Sequence, residues 1–467
     1  MSAPLPSASA VLRSAEVRRG LAAWLPEQRW FAGSGGTPAG LRVTGVHRFT
    51  HDSADASSAG AFVHAHVRGD GGADGTTYLL ALGMTRGTVV PVGSSLVARV
   101  GALTVYDALS DAALVNALVR HIVEGHTMDG VSYRPEAHAG PAPRAGLPVR
   151  PLAAEQSNSS VIAGEQYILK LFRRPGPGPS ADLTVHRLLR DAGSPHVTPL
   201  LGAVEDVATG ATLATLQRFL PDAVDGWALA VEAARGADAV HTRFPAQMRD
   251  LGTAVAAVHR DLARAGGQVI MGPGHYRRMS EVFSQRLEHA LEECPRLEPL
   301  AAPLRAAFAS VAALRPAVPG VAHPIHGDLH LGQTLRTRTG WLLLDFEGEP
   351  LASPAQRTGR HSPLRDVAGM LRSFDYAAHH DPTERLTAVD GAQDDDTGAL
   401  PWSRRLRREF LRGYTAGRPL QADLLTVLRA CELDKAVYEV LYETRHRPHW
   451  TRIPLAALDR ELTAAGR

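Results

Sequence analysis

The stretch HPIHGDLHLGQTLRTRTGWLLLDFEGEP, residues 323–350, decides how the rest of the sequence is interpreted. Within it, Gln333 follows Asp328 by five residues, and Asp345 comes directly after the apolar run WLLL. Phosphoryl transfer to a hydroxyl requires a carboxylate that accepts the hydroxyl proton and oxygen ligands that hold Mg²⁺ on the nucleotide phosphates. We therefore predict that Asp328 is the general base and that Gln333 and Asp345 bind magnesium. A lone HxD would more often be an ordinary turn, but its combination with Gln333 and a strand-borne DFE favours a kinase-type site.

Two histidines flank Asp328. His326 and His330 are four residues apart, a spacing that binds zinc when both side chains lie on one face of a helix. The segment has no helical pattern and no third ligand nearby in the sequence, so we expect these histidines to support the loop. His326 is also a candidate, together with Asp328, for contact with the substrate.

A second segment predicts the phosphate-binding part of the site. In EQSNSSVIAGEQYILKLF, residues 155–172, a polar loop precedes a strand, a tight turn at 163–165 and a second strand that carries Lys170. Of the 50 Lys and Arg residues only Lys170 and Lys435 are lysines, so composition alone does not explain a lysine in this apolar strand. An ammonium group is a compact charge that fits between phosphate oxygens. We predict that Lys170 contacts the phosphates and that a loop covers them, formed by Ser157, Asn158, Ser159 and Ser160.

The other lysine lies in the helix-like stretch CELDKAVYEVLYETRHRPHW, residues 431–450. Its aromatic and charged residues recur every three or four positions, which places them on one helix face. Such a face suits a sugar, because rings stack against it and charged groups bind its hydroxyls. The spacing is equally typical of an exposed helix with ion pairs between successive turns. The candidate acceptor-site residues are Lys435, Tyr438, Glu439, Tyr442, Glu443 and Arg445.

Composition limits the classes of function. The chain has 467 residues, of which 44% are hydrophobic, and this length suffices for two or three domains. Its net charge of +2 gives no electrostatic reason to expect binding to nucleic acid or to an acidic membrane surface. Cys294 and Cys431 lack CxxC spacing, so neither a disulfide framework nor a zinc site is expected. The N-terminal region has no apolar core typical of a signal peptide, and no apolar run reaches the about 18 residues that a membrane span needs. We therefore expect a cytoplasmic protein.

The order of patterns predicts an α+β protein. A β-rich N-terminal domain covers residues 1–133, a Pro/Gly-rich linker 134–151, a strand-rich core 152–222 and a mostly helical region 223–467. Within these domains, GDGGADG at 69–75 predicts a hairpin turn and DGAQDDDTG at 390–398 predicts a solvated loop.

Several motifs resemble those of actinobacterial maltokinases, relatives of the aminoglycoside and methylthioribose phosphotransferases: HGDLHLGQ, DFEGEP, RDVAGMLRSFDYAA, DKAVYEVLYETRHRP and EQSNSSVI. The resemblance extends from WLPEQRWFAG near one end to IPLAAL near the other. It implies a bilobal, protein-kinase-like α+β fold with a β-rich cap domain on the N-lobe and a mostly helical C-lobe. It further implies phosphorylation of maltose at the anomeric hydroxyl by ATP and Mg²⁺, giving maltose 1-phosphate for α-glucan synthesis. By position, LQRFL at 216–220 would be the hinge against adenine, with Gln217 and Phe219 as contacts.

One position departs from the family pattern. A Glu in a PDLE-like stretch is expected to pair with the phosphate lysine, whereas this chain reads SADLTVHRLL and has Thr184 at that place. Asp182 is two residues away and would lie on a different helix face, so it could replace the Glu only if the helix were rotated.

Three functions remain open at this stage. The first is maltokinase, favoured by the intact DFEGEP and SFDYAA motifs. The second is a related kinase for another sugar such as glucosamine, whose amine would need an added carboxylate; Glu439, Glu443 and Asp375 leave this open. The third is a catalytically weak, kinase-like nucleotide-binding protein, suggested only by Thr184. Analogy with related enzymes adds an association with trehalose synthase as a hypothesis.

Overall fold

The computed structural model describes residues 7–31, 38, 40–50, 58–68, 75–136, 146–152, 157–235, 239–350, 352–379 and 399–464. The chain divides into two compact units, residues 1–184 with 198–221 and residues 185–197 with 222–467. Nearly all of the predicted turn at 69–75, the middle of the predicted linker and the acidic segment at 390–398 lie outside the described residues.

The first unit begins with helices and an antiparallel sheet. These elements are α1 (Ala8–Leu12), α2 (Ala15–Trp24), β1 (Arg42–Arg48), β2 (Ser58–Val67), β3 (Thr76–Arg86), β4 (Leu96–Val100) and β5 (Leu103–Asp107). The strand order is β1-β2-β3-β5-β4. Side chains alternate between the two faces of a strand, so on β2 Val63 packs in a core with Trp24, while its neighbour Phe62 packs in a second core with Ile122. Both faces of this sheet are therefore buried.

A second antiparallel sheet completes the first unit. Its strands and helices are α3 (Ala112–Glu124), β6 (His126–Met128), β7 (Val131–Pro135), β8 (Val149–Pro151), β9 (Ser159–Ala163), β10 (Tyr167–Leu171), α4 (Ala181–Asp191), β11 (Leu200–Asp206) and β12 (Thr212–Arg218), and α4 continues into the second unit. The strand order is β6-β7-β11-β12-β10-β9-β8. Residues 164–166 connect β9 to β10, and Gly164 and Glu165 have φ angles of +60° and +50°, the left-handed conformation that tight hairpin turns use. Lys170 consequently pairs with Ser160 on β9 and with Thr215 on β12.

The second unit is mostly helical. Its helices are α5 (Gly226–Arg235), α6 (Ala239–Gly266), α7 (Pro273–Glu293), α8 (Glu298–Ala312), α9 (Pro354–Arg357), α10 (Leu364–Ala378), α11 (Ala399–Tyr414), α12 (Ala422–His446) and α13 (Arg452–Ala464). Short strands accompany them: β13 (Val224–Asp225), β14 (Val269–Ile270), β15 (Val321–Ala322), β16 (Thr334–Arg336) and β17 (Trp341–Leu343). The β16–β17 hairpin is the strand-rich insert that the sequence predicted, and it delivers Asp345 two residues after β17 ends.

Helix α12 is the core of the second unit. It contains residues 431–446 of the predicted acceptor-site stretch, begins earlier, at Ala422, and is buried along most of its length from Val427 to Glu443. The alternative interpretation of this stretch as an exposed helix is therefore wrong. The buried polar side chains of α12 must find partners inside the protein, because an unpaired buried charge is strongly destabilising.

None of the helices in the described parts of the chain has the length and hydropathy that crossing a bilayer requires.

Candidate active site

The loop that carries Asp328 is fixed by α10. The Asp366 carboxylate accepts hydrogen bonds from the backbone N–H groups of His326 and Gly327, both at 2.8 Å, and lies 3.0 Å from Nε2 of His259. Burial opposes the charge of Asp366, but His259 and these N–H groups outweigh burial and lower its pKa. A charged, buried carboxylate thus fixes the backbone directly before Asp328.

The two histidines beside Asp328 support the loop. The His326 ring is 1% exposed, lies 4.8 Å from the Phe346 ring and places Nε2 2.7 Å from the carbonyl oxygen of Leu344. Nδ1 of His330 accepts a hydrogen bond from the N–H of Gly332. Neither belongs to a cluster of metal-ligating side chains within the described residues. The structural role predicted for the pair agrees with these contacts, whereas the buried position of His326 does not support its predicted contact with substrate.

The two predicted magnesium ligands meet after β17. Nε2 of Gln333 donates to Oδ2 of Asp345 at 3.3 Å, and the N–H of Leu344 donates to the carbonyl oxygen of Gln333 at 2.9 Å. Asp345 has a φ angle of +56°, a left-handed conformation that is costly for a residue other than glycine and that clusters at functional sites. An amide and a carboxylate in contact offer the hard oxygen ligands that Mg²⁺ prefers, so these residues fit the ion.

Lys435 reaches Asp328 from α12. Its Nζ lies 2.7 Å from Oδ1 of Asp328 and 3.2 Å from Oε1 of Glu349, and 4.4 Å from the centre of the Tyr438 ring. Burial disfavours the charged lysine, but the two carboxylates outweigh burial and raise its pKa. The predicted base and the predicted acceptor helix are therefore joined by a direct ion pair.

A balanced charge network surrounds this pair. Glu349 is also bound by Arg286 at 2.8 Å and lies 3.7 Å from Arg365, and Arg286 donates to Asp434 at 2.9 Å. Burial would raise the pKa of Glu349, but Lys435, Arg286 and Arg365 lower it to about 2. Glu349 was not predicted as a site residue, although it lies within the quoted motif DFEGEP. No sequence pattern indicated that Arg286 belongs to the site, because it lies 63 residues from Glu349.

The remaining predicted acceptor residues divide into two groups. Tyr438 stacks on Tyr442 with ring centres 6.2 Å apart and therefore extends the aromatic surface beside Lys435. The charged residues have other partners. Glu439 accepts a hydrogen bond from Arg372 at 2.6 Å, Glu443 accepts one from Arg447 at 2.7 Å, and Arg445 forms an ion pair with Glu293. The structure does not bring Glu439, Glu443 or Arg445 to Asp328.

A cavity of about 230 Å³ adjoins the network within the second unit. Its polar lining includes Gly327, Arg286 and Glu349, and its apolar lining includes Met279 and Phe283. A few polar groups on an apolar wall are typical of small-molecule sites.

In the first unit, Lys170 has an acidic partner on α4. Its Nζ lies 3.7 Å from Oδ2 of Asp182, whose side chain is 1% exposed. The hydroxyl of Thr184 instead donates to the carbonyl oxygen of Ser180 at 2.8 Å, inside the first turn of α4. Helix α4 is therefore oriented with Asp182 rather than Thr184 towards Lys170, which is the rotation under which the sequence allowed Asp182 to replace the expected Glu.

The predicted phosphate-covering loop is anchored by Arg173. Its backbone N–H donates to Oδ1 of Asn158 at 3.3 Å, and its Nε donates to Oγ of Ser159 at 2.8 Å. The guanidinium lies 4.2 Å from the Trp30 ring centre and 3.9 Å from Asp107. Burial lowers the pKa of Arg173 to about 10 although Asp107 opposes this shift. Oγ of Ser157 accepts a hydrogen bond from Nδ2 of Asn158 at 3.3 Å. Ser159 and Ser160 lie in β9 rather than in a loop, and Ser160 is buried.

The predicted hinge follows β12. The backbone N–H of Phe219 donates to the carbonyl oxygen of Gln166 at 2.8 Å, and Oε1 of Gln217 accepts from the Thr198 hydroxyl at 2.9 Å. The Phe219 ring faces the Arg150 guanidinium at 5.6 Å. These contacts order the segment, and its role in adenine binding stays a prediction.

Comparison with known proteins finds matches for both the N-terminal and the C-terminal parts of the chain. Residues 24–111 match the maltokinase N-terminal cap domain, and residues 148–402 match the phosphotransferase enzyme family. A glucosamine kinase from Streptacidiphilus jiangxiensis is 31% identical over 363 residues, which are 73% of this chain and 78% of that protein. A glucosamine kinase from Mycolicibacterium smegmatis is 29% identical over 326 residues, covering 66% of this chain and 78% of the relative.

The fold is also similar to that of a solved structure. A glucosamine kinase in complex with glucosamine, ADP and inorganic phosphate superposes with a TM-score of 0.67 at 22% identity, covering 97% of this chain and 99% of the other. The predicted α+β, kinase-like fold with a β-rich N-terminal cap is thereby confirmed.

Proposed function

Because the chain belongs to the phosphotransferase enzyme family and carries a maltokinase-type N-terminal cap, we propose that it is an ATP-dependent kinase that phosphorylates a sugar hydroxyl. The observation that carries the proposal is the 2.7 Å contact between Lys435 and Asp328. This contact joins Asp328, which occupies the position of the general base in the motif, to α12. Helix α12 carries the stacked tyrosines Tyr438 and Tyr442, whose rings suit a sugar ring.

In the proposed reaction Asp328 accepts the proton of the acceptor hydroxyl as the hydroxyl oxygen bonds to the γ-phosphorus and the bond from phosphorus to the β,γ-bridging oxygen breaks. Lys435 holds Oδ1 of Asp328, so we assign Oδ2 to the proton. Lys170, fixed by Asp182, binds the nucleotide phosphates, and the loop at 157–160 covers them. The segment with Gln217 and Phe219 receives the adenine.

Gln333 and Asp345 would hold the magnesium ion that accompanies the nucleotide. The ion supplies positive charge that neutralises the phosphate oxygens. The chain's own contribution is geometric: the strained backbone of Asp345 and the hydrogen bond from Gln333 hold the carboxylate in one orientation.

We propose maltose as the acceptor, phosphorylated at its anomeric hydroxyl to give maltose 1-phosphate for α-glucan synthesis. The support is electrostatic. The three carboxylates that the sequence left open for a sugar amine are paired with arginine: Glu439 with Arg372, Asp375 with Arg372 and Arg407, and Glu443 with Arg447. A neutral sugar does not need a spare carboxylate.

Glucosamine is the second candidate, because two relatives that align over most of their length are glucosamine kinases. A cytoplasmic location and an association with trehalose synthase stay predictions made from the sequence and by analogy. Co-purification with a tagged trehalose synthase would test the association.

The acceptor is tested by a coupled ADP-release assay with ATP and Mg²⁺ across maltose, glucose, glucosamine and an aminoglycoside, with the product identified by NMR. We expect turnover of maltose with phosphate on the anomeric carbon. Preference for glucosamine would retain the kinase and refute maltose. Absence of turnover with every acceptor, while ATP still binds, would favour the catalytically weak alternative.

A further inference from the structure

Three side chains that can bind a metal converge in the first unit, outside the proposed phosphotransfer site. They are His47 on β1, His64 on β2 and Asp206 at the end of β11. One ligand atom from each lies within 4.8 Å of the other two, and no other such group of three occurs among the described residues. The first two residues belong to the N-terminal sheet and the third to the second sheet.

The His47 ring is already oriented by the backbone. Its Nδ1 lies 2.8 Å from the carbonyl oxygen of Asp129, and Oδ2 of Asp129 accepts the backbone N–H of Arg48 at 2.7 Å. A carbonyl oxygen can only accept, so Nδ1 carries the proton and Nε2 is the ligand nitrogen. Metal-binding histidines commonly donate their second N–H to a carbonyl or carboxylate in this way.

Asp206 is also held in place, through one oxygen. Oδ1 accepts from the backbone N–H of Thr209 at 2.7 Å and from its hydroxyl at 2.8 Å. This pair of contacts fixes the carboxylate plane in a buried position and assigns Oδ2 to a further ligand.

His64 supplies an independent observation. Its Nε2 is buried and has no hydrogen-bond partner in the described structure, although buried polar atoms are nearly always paired and each exception calls for an explanation. Its ring lies edge-on to that of His47, with centres 5.3 Å apart. The nitrogen therefore lies beside a second imidazole and a carboxylate without a bond of its own.

We propose that His47, His64 and Asp206 bind a zinc-class divalent cation that links the N-terminal sheet to the second sheet. Two imidazoles, one carboxylate and a water molecule complete the four-coordinate geometry that zinc prefers. Bonds of about 2.0–2.2 Å place tetrahedral ligand atoms roughly 3.3 Å apart. The present separation of up to 4.8 Å therefore predicts that binding draws the three side chains together by small rotations.

The first experiment measures zinc binding to chelator-treated full-length protein by calorimetry in excess Mg²⁺. The protein used carries the Asp345→Asn substitution, so that zinc binding at the proposed magnesium site does not contribute to the measured heat. We expect one equivalent of Zn²⁺ per chain and a rise of several degrees in the thermal midpoint, because a ligand that binds only the folded state stabilises it. Absence of binding in this background overturns the proposal.

The variants His64→Ala and His64→Phe test the ligand assignment. Each should weaken zinc binding at least tenfold and abolish the thermal shift, and the Phe variant keeps a ring that fills the same space. His126→Ala is the matched control, because it removes an exposed imidazole from the same unit and should bind zinc like the parent. Binding that persists unchanged in both His64 variants, with their metal-free midpoints close to that of the parent, would refute the site.

Discussion

Asp328 is the side chain whose removal should reduce activity most. The Asp328→Asn variant keeps the size of the group and its place beside Lys435, but the amide cannot accept the hydroxyl proton. We expect kcat to fall by about 10²–10⁴-fold, the usual contribution of a general base. The KM for ATP should change little.

The Asp191→Asn variant is the control, because Asp191 is an exposed partner of Arg190 at the end of α4. It should turn over like the wild type. Equal turnover of the Asp328→Asn variant and the wild type would refute the assigned mechanism.

Lys435 contributes stability as well as position. Its side chain is 14% exposed, and its ammonium group forms ion pairs with Asp328 and Glu349. Replacement by methionine leaves these carboxylates with too little positive charge in a buried setting, and removing one partner of a buried ion pair costs about 3–5 kcal/mol. We expect the Lys435→Met variant to lose this amount in urea unfolding.

The matched control for Lys435→Met is Arg445→Met on the same helix. The Arg445–Glu293 pair is about one-third exposed, and such surface pairs contribute only about 0–1 kcal/mol. A Lys435→Met variant as stable as the Arg445→Met variant would contradict the network argument.

Arg173 connects two elements that the sequence analysis treated separately. Its guanidinium is buried against Trp30, while its backbone N–H and Nε hold Asn158 and Ser159 at the start of β9. The Arg173→Gln variant should loosen the predicted phosphate-covering loop and raise the KM for ATP by about tenfold, which corresponds to about 1.4 kcal/mol of lost binding.

The adjacent Arg174→Gln is the control, because Arg174 is exposed. If both variants bind ATP with the wild-type KM, Arg173 has no part in ordering the loop. Circular dichroism of the Arg173→Gln variant separates a loosened loop from general unfolding.

Helix α10 approaches the catalytic loop too closely for any side chain at Gly369. A Cβ at this position would lie 2.5 Å from the carbonyl oxygen of Leu329, the residue after Asp328. The Gly369→Ala variant should therefore displace the loop, and we expect kcat to fall by about a hundredfold, since misplacement of about 1 Å has effects of this order.

Gly274→Ala in α7 is the matched control for Gly369→Ala. Its Cβ would meet nothing closer than the end of Arg277 at 4.0 Å, and alanine favours a helix over glycine by about 0.8–1.0 kcal/mol. This control should be as active as the wild type. Wild-type kcat in the Gly369→Ala variant would show that the loop tolerates the displacement.

The sequence was most informative where the chemistry is local. Gln333 and Asp345 are 12 residues apart and joined by a short hairpin, so spacing and a turn signal sufficed to predict that they meet. The partner of Lys170 was not predictable in this way, because helix periodicity gives the angle between Asp182 and Thr184 but not the rotation of α4 against the sheet. That rotation depends on tertiary packing.

Pairs of residues that are far apart in the sequence could not be predicted either. Asp366 binds His259 across 107 residues, and Arg286 binds Asp434 across 148 residues. Each is an ordinary polar or charged residue in its own segment, and only the packing of α6, α7, α10 and α12 brings these partners together. The aromatic and lysine positions of α12 were predicted because they recur on one face, whereas the arginines that neutralise Glu439 and Glu443 were not.

The pH dependence of stability follows from histidines that are neutral in the folded protein. Burial is the main cause that lowers the pKa of both His323 and His361, whose backbones pair with each other directly before the catalytic loop. Unfolded histidine has a pKa of about 6.5. Below that pH the unfolded chain takes up protons that the folded chain does not. The stabilisation from the neutral histidines is therefore complete above about pH 6.5 and is lost as the pH falls towards the folded pKa values. The free energy of unfolding decreases by at most about 1.4 kcal/mol per pH unit for each histidine.

Glu349 loses its charge at lower pH, so its contribution to stability can be separated from that of the histidines. The lowered pKa of Glu349, about 2 in the folded protein, gives stability that is lost only below the unfolded pKa of about 4.3. Between pH 7.5 and 5.5 Glu349 stays charged in both states, and urea unfolding of the His323→Gln variant should show a shallower loss of stability than the wild type over that range. His446→Gln, which changes an exposed histidine, should retain the wild-type slope. Equal slopes for wild type and His323→Gln would mean that His323 does not resist protonation in the folded protein.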